Sequence, residues 1–117
     1  MTPTARELQW RRDNGWTACV VEKWNMHARV RQDAFGFGDI LAVQPEVIAL
    51  VQVTSGDHHA ERLAKIRAEP RAARWLAAGG LIEVVSWSKR KVKRGGKAVR
   101  WTRRAESLGC TETGDPP

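Results

Sequence analysis

Two short apolar runs, Asp39 to Val43 and Val47 to Val53, stand on either side of Gln44-Pro45-Glu46. Each run carries β-branched residues and is too short for an ordinary helix, and Pro45 is a turn signal. The pattern predicts two adjacent strands joined by a tight turn. Asp39 opens the first strand, and Gln52 and Thr54 lie two apart near the end of the second. Alternate strand residues share a face, so Gln52 and Thr54 point together and a hairpin can bring Asp39 close to them. Polar groups gathered at one edge of an apolar hairpin call for an explanation.

The rest of the chain follows from the same kind of pattern. Residues 4–14 predict a helix, with Thr4 as cap and Glu7 three residues on, the spacing of a capping box. Ala5, Leu8 and the stem of Arg12 form its short inward stripe, and Asn14-Gly15 ends it. Glu7 has two readings: a cap partner, or an acid aimed at a site. Trp16 to Trp24 alternates as a first strand, with Ala18, Val20 and Glu22 on one face. Residues 25–34 are a loop or part of a strand leading to Gly36 and Gly38, and Asp33 is expected to pair with Arg31. Beyond the central hairpin, Ser55 or Asp57 caps a helix that Pro70 interrupts and Gly79-Gly80 ends. Leu81 to Trp87 is a fourth strand, residues 88–96 a basic turn, and Ala98 to Arg103 a returning fifth strand. The tail from Gly109 is expected to be disordered.

At 117 residues the chain fits one domain, expected over 1–108, with enough length for a core. Its 42% apolar and 28% charged residues are those of a globular protein. No apolar run approaches the roughly 20 residues that span a membrane. The N-terminus lacks a secretory core, so a cytoplasmic protein is expected. Cys19 and Cys110 match no metal spacing and read as reduced thiols. Charge adds more. Lys and Arg number 20 against 13 acids, a formal +7, and the excess lies late. Lys89, Arg90, Lys91, Lys93, Arg94, Lys97 and Arg100 form a cluster suited to a polyanion, nucleic acid above all. Trp87 and Trp101 flank it and are either stacking platforms for bases or core residues under the hairpin. The bland alternative is a solvated basic face.

The order of helix, three strands, helix, strand and basic β-hairpin predicts an α/β fold with a small mixed central sheet flanked by helices. It resembles the PD-(D/E)xK nuclease superfamily, the restriction-endonuclease-like fold. Among its members, archaeal Holliday-junction resolvases and VRR-type nucleases are nearest in size. The family pattern is an acid on the first helix, a Gly-x-x-Asp-like turn entering a strand, and an acid-x-Lys ending the next. Here those positions read Glu7, FGFGDILA with Asp39, and VQVTSG with Gln52 and Thr54. The resemblance covers residues 4–88 and rests on order and spacing. It implies a metal-dependent endonuclease acting on DNA, with branched or structured DNA as a candidate substrate.

In such a site a metal polarises the phosphate and acidifies water. Mg²⁺, with Mn²⁺ as its substitute, prefers oxygen ligands. The resemblance assigns these to Asp39, the Gln52 carbonyl, the Val53 backbone carbonyl and Glu7. Gln52 stands where the family has an acid, and neutral Thr54 where it has the lysine. Lys65, on the helix after the hairpin, is the candidate to supply that lysine; its other reading is an ion pair with Glu61, four residues earlier. Glu22 and Asp33 are alternative carboxylates, and His58 and His59 are either general bases or loop histidines. Three functions stand open: an endonuclease, a nucleic-acid-binding module with a decayed nuclease site, and a protein-interaction domain. Expected partners are nucleic acid, DNA ahead of RNA, and no membrane; a homodimer stands open as an assembly.

Overall fold

The longest apolar run becomes the middle of the sheet. In a computed structural model that describes residues 1–108, strand β5 (Val47–Ser55) is buried from Ala49 through Thr54. The expected tail from Gly109 lies outside the described residues. Around β5 the chain forms α1 (Pro3–Asp13), β1 (Thr17–Val20), β2 (Lys23–Asn25), β3 (Val30–Gln32) and β4 (Ile40–Gln44). After it come a short 3₁₀ turn, α2 (His59–Arg67), α3 (Pro70–Ala77), β6 (Leu81–Lys91) and β7 (Val99–Leu108). This is a mixed α/β fold.

Five strands make one sheet in the order β1-β4-β5-β6-β7, and β2 with β3 makes a separate small hairpin. β1, β4 and β5 are antiparallel neighbours, β6 runs parallel to β5, and β7 returns antiparallel to β6. The parallel step is possible because α2 and α3 carry the chain back across the sheet. The β4–β5 turn has Gln44 opposite Val47, leaving Pro45 and Glu46 as its two central residues. Pro45 supplies the fixed φ and Glu46 accepts φ 65°, as in a type II turn.

The alternation along β5 sorts two cores. Val51 and Val53 pack with Ala18, Ile40, Ala42 and Val85 on the face that α1 covers. Leu50 packs with Phe37, Leu63, Ile66, Ile82 and Val84 on the face that α2 and α3 cover. Gln52 and Thr54 share the parity of Leu50 and lie on this second face. Pro70 stands at the first position of α3, where its missing N–H costs nothing, and Glu69 caps that helix by accepting from Arg71 N–H.

Several boundaries differ from the sequence expectation. Thr2, not Thr4, caps α1, its hydroxyl accepting from Ala5 N–H at 3.1 Å, because Pro3 takes the first helical position. The expected strand 16–24 divides into β1 and β2, and the basic hairpin is longer than its pattern. β6 runs to Lys91 and β7 to Leu108, since cross-strand pairing carries polar residues past the apolar core.

Helix α1 departs most. Its buried positions are not an apolar stripe but the charged pair Glu7 and Arg11, four residues apart on one side. Glu7 is fully buried. Its carboxylate accepts from Arg11 Nε at 2.7 Å, from Arg103 Nε and Nη2 at 2.8 and 2.9 Å, and from Trp87 Nε1 at 3.1 Å. Arg11 Nη2 also lies 2.7 Å from Glu83 Oε1, a charge contact whose angle falls short of a hydrogen bond. The rings of Trp10 and Trp16 stack on Arg103 and Arg11 at 3.5 and 4.7 Å. This network ties α1 to β6 and β7.

Removing one partner of a buried ion pair leaves the other charge uncompensated. Glu7→Ala is therefore expected to cost about 3–5 kcal/mol in chemical denaturation. A cost near that of a surface ion pair, below about 1 kcal/mol, would show that the network is not holding the helix.

Candidate metal centre

The sheet is uneven at one end, and the candidate site forms there. β4 begins at Ile40, opposite Val51, so β5 runs on past its antiparallel neighbour. Val53 N–H then has no strand partner. The Asp39 carboxylate takes that place: Oδ2 accepts from Val53 N–H at 2.7 Å and from Gln52 Nε2 at 2.9 Å. Asp39 is only 4% exposed.

Two further carboxylates close on Asp39. Val21 N–H donates to the Asp39 carbonyl at 2.8 Å, which brings the residue after it, Glu22, alongside. The β2–β3 hairpin leaves the sheet at Glu22 and returns at Asp33, delivering the third acid. One carboxylate oxygen from each of Glu22, Asp33 and Asp39 lies within 4.8 Å of the others, a group able to hold a metal ion. Gly36 sits in the tight turn that follows, at φ 82°, with Arg71 above it; a Cβ there would stand 2.7 Å from Arg71 Nη2.

This crowding changes the acid chemistry. Burial raises the Asp39 carboxyl from its ordinary 3.8 to about 8. The Val53 N–H pulls the other way, while a hydrogen bond and charge from Asp33, then the charge of Glu22, add to the rise. Near neutrality Asp39 therefore holds a proton unless a cation replaces it. All the donors are hard oxygens, which suit a hard cation rather than a soft one.

A rim of positive charge faces Asp33. A cleft of about 630 Å³ is lined by Asp33 with Arg31, Arg62, Lys65 and Arg71. Lys65 also lines a smaller cleft of about 260 Å³ beside Gln52 and Phe37. Arg31 pairs with Glu22 at 3.1 Å, in place of the expected Asp33. Through Asp33 the acid group adjoins a cationic cleft able to take an anion.

Of the residues expected from sequence, Asp39, Gln52 and Val53 come together, with Gln52 and Val53 meeting Asp39 through N–H donors rather than through the carbonyl oxygens expected as ligands. Thr54 lies on the same face, opposite Ser86 in the register, and lines neither cleft. Glu7 is on the other face of the sheet with all its acceptor capacity used, so it is no metal ligand here. Lys65 does not pair with Glu61, which contacts His58 instead at 3.4 Å. His59 is buried and contacts Ser86 Oγ at 2.7 Å and Glu106 Oε1 at 3.0 Å, a tie between α2 and the β6–β7 pair. Arg62 and Arg71 were not foreseen. The signal for Arg62 was its place three residues before Lys65, on the same helical face.

The basic residues gather on the outer part of the β6–β7 hairpin and its loop, all exposed. Arg90 lies opposite Arg100, a like-charge pair that is unfavourable without an anion between or beside it. Trp87 belongs to the core, while Trp101 is covered by Arg6 at 3.9 Å and Lys89 at 5.4 Å. Among the described residues no helix is long and apolar enough to cross a membrane. Searches against family models, curated proteins and solved structures gave no match to this chain.

The raised Asp39 pKa sets a pH dependence. The folded chain holds this proton more tightly than the unfolded chain. The stability it contributes is full below about pH 4 and is lost as pH rises towards about 8. Thermal unfolding in EDTA should show that decline. Mn²⁺ should reverse it, more strongly at the alkaline end, because ligation needs the ionised acid. Asp39→Asn should abolish both effects. An Mn²⁺-induced stabilisation equal at both ends of this range, or kept in Asp39→Asn, would count against the centre.

Proposed function

We propose that this chain is a metal-dependent endodeoxyribonuclease, hydrolysing phosphodiester bonds in DNA. The observation that carries the proposal is the buried Asp39 beside Glu22 and Asp33, with Asp33 lining a cleft shared with Arg62, Lys65 and Arg71. Support also comes from topology. One helix, three antiparallel strands, a helical crossover and a parallel strand is the order expected of the restriction-endonuclease-like fold. The resemblance drawn from Asp39, Gln52 and Thr54 thus has a consistent scaffold.

Glu22, Asp33 and Asp39 are the residues that would hold Mg²⁺ or Mn²⁺. Such an ion supplies polarisation of the phosphate and a more acidic water. Gln52 fixes the Asp39 carboxylate by its amide hydrogen bond, and Val53 N–H fixes the same oxygen. Lys65, with Arg62 and Arg71, attracts the phosphate and stabilises the negative charge that develops on it. Lys65 thereby takes the role that neutral Thr54 cannot. The hairpin cations from Lys89 to Arg100 track the DNA backbone away from the cleavage point.

A second reading is a nucleic-acid-binding module whose nuclease site has decayed. What favours it is Thr54, which lies beside Ser86 and offers no charge to a scissile phosphate.

One assay separates the two. Purified protein is incubated with labelled duplex, branched and single-stranded DNA in Mg²⁺, Mn²⁺ or EDTA. Cleavage is expected with metal only. Asp39→Asn should abolish it and leave binding nearly intact, because the hairpin does the holding. Lys65→Ala should slow cleavage by about 10²–10³. Cleavage surviving Asp39→Asn would mean the site lies elsewhere. A wild-type protein that binds DNA and cleaves none of it would establish the binding module.

A further inference from the structure

Beside the acidic cleft lies a second cleft of different character. It has about 410 Å³ of space, lined by Phe35, Arg71, Arg74, Trp75 and Ala78. Arg71 lines both clefts, so the two adjoin. Phe35 follows Asp33 by only two residues, which puts the aromatic wall next to one of the three acids.

Both aromatic rings are held in place by their surroundings. Phe35 stands 49% exposed, and its backbone sits at φ 55°. That region is costly for a bulky side chain and persists only where surrounding structure enforces it. The enforcement is visible: Phe37 N–H and Gly38 N–H both donate to the Ala34 carbonyl, at 3.1 and 2.8 Å. Trp75 is fixed from behind. Its indole N–H donates to the Leu81 carbonyl at 2.9 Å, and its ring lies so close over Gly80 that a Cβ there would stand 2.3 Å away. The polar atom of Trp75 is thus spent on backbone, leaving ring surface towards the cleft. The two ring centroids are 6.4 Å apart and tilted by 46°.

The walls are aromatic and the rim is cationic. Arg71 is steadied by Glu69, whose carboxyl Arg71 holds down at about 2 through its side-chain hydrogen bond. Arg74 has no ion-pair partner among the described residues. A ligand that matches must carry a flat apolar ring and an anion on the same small molecule or chain. A nucleotide does so, and only an unpaired base can offer its face to a side chain.

We infer that the Phe35–Trp75 cleft takes one unpaired nucleobase, with Arg71 and Arg74 on its flanking phosphates. The inference rests on the nuclease reading and narrows it: the substrate at the acidic centre carries single-stranded nucleotides, as at a flap, a gap or a branch. Phe35 is the stacking surface, Trp75 the fixed back wall.

The test uses binding alone, in EDTA. A single-stranded oligothymidylate carrying one 2-aminopurine is titrated with protein, since stacking quenches that base's emission. Quenching is expected with wild type and with Phe35→Tyr. Phe35→Ala should lose it and bind the strand about 10-fold more weakly, while blunt duplex binding is unchanged. Replacing the 2-aminopurine nucleotide with an abasic one in a dye-labelled strand should weaken wild-type binding by a similar factor without altering the protein. If the strand binds equally well with the abasic site and with Phe35→Ala, only phosphates are held and the inference fails. If no strand binds at all, both the stacking site and the nucleic-acid reading fall. Stacking in a protein that cleaves nothing would keep this site and remove the nuclease.

Discussion

The site depends on a mismatch in strand length. β5 has nine residues and its antiparallel neighbour β4 only five, so the ladder stops before β5 does. An amide left without a partner at a buried edge is costly, and the sheet must answer it. The answer is a carboxylate. Asp39 turns back onto Val53 N–H and becomes buried in doing so. Burial raises its pKa, and the acids that flank it raise it further. A structural repair thus makes a group that needs either a proton or a cation near neutral pH.

The two faces of the sheet divide the labour. On the α1 face, charge is spent inside the molecule: Glu7 satisfies Arg11, Arg103 and Trp87, and nothing is left for a ligand. On the α2 and α3 face, charge is left open. Lys65 makes no ion pair among the described residues, and Asp33 lines the same cleft as Lys65. The same residue type therefore holds the fold together on one side and offers chemistry on the other. The basic hairpin extends from the edge of the same sheet. The Arg90–Arg100 pair lies on the face that carries Gln52, as the register from Thr54 through Ser86 to Arg104 requires.

What was legible in the sequence was local. The β4–β5 hairpin announced itself through two apolar runs around Pro45, and the break between α2 and α3 through Pro70. The nearness of Asp39 and Gln52 followed from strand periodicity and a tight turn. Glu7 was beyond reach because its direction is set by Arg103, 96 positions away. A helix whose buried side is charged gives no apolar stripe to read. Glu22 and Asp33 were visible as carboxylates but not as partners. Their meeting requires the small β2–β3 hairpin to leave the sheet and return, and its exposed residues carry little periodic signal. Lys65 hung on whether Glu61 would take it, and His58 competes for Glu61 from the 3₁₀ turn.

The central claim is that Glu22, Asp33 and Asp39 form a divalent-cation site. The most direct measurement is anomalous scattering from crystals of the protein soaked in Mn²⁺. The account predicts one strong peak among these three carboxylates, absent from crystals of Asp39→Asn. A peak on Glu7 or on the histidines His58 and His59, or none at the three acids with Mn²⁺ in excess, would contradict it.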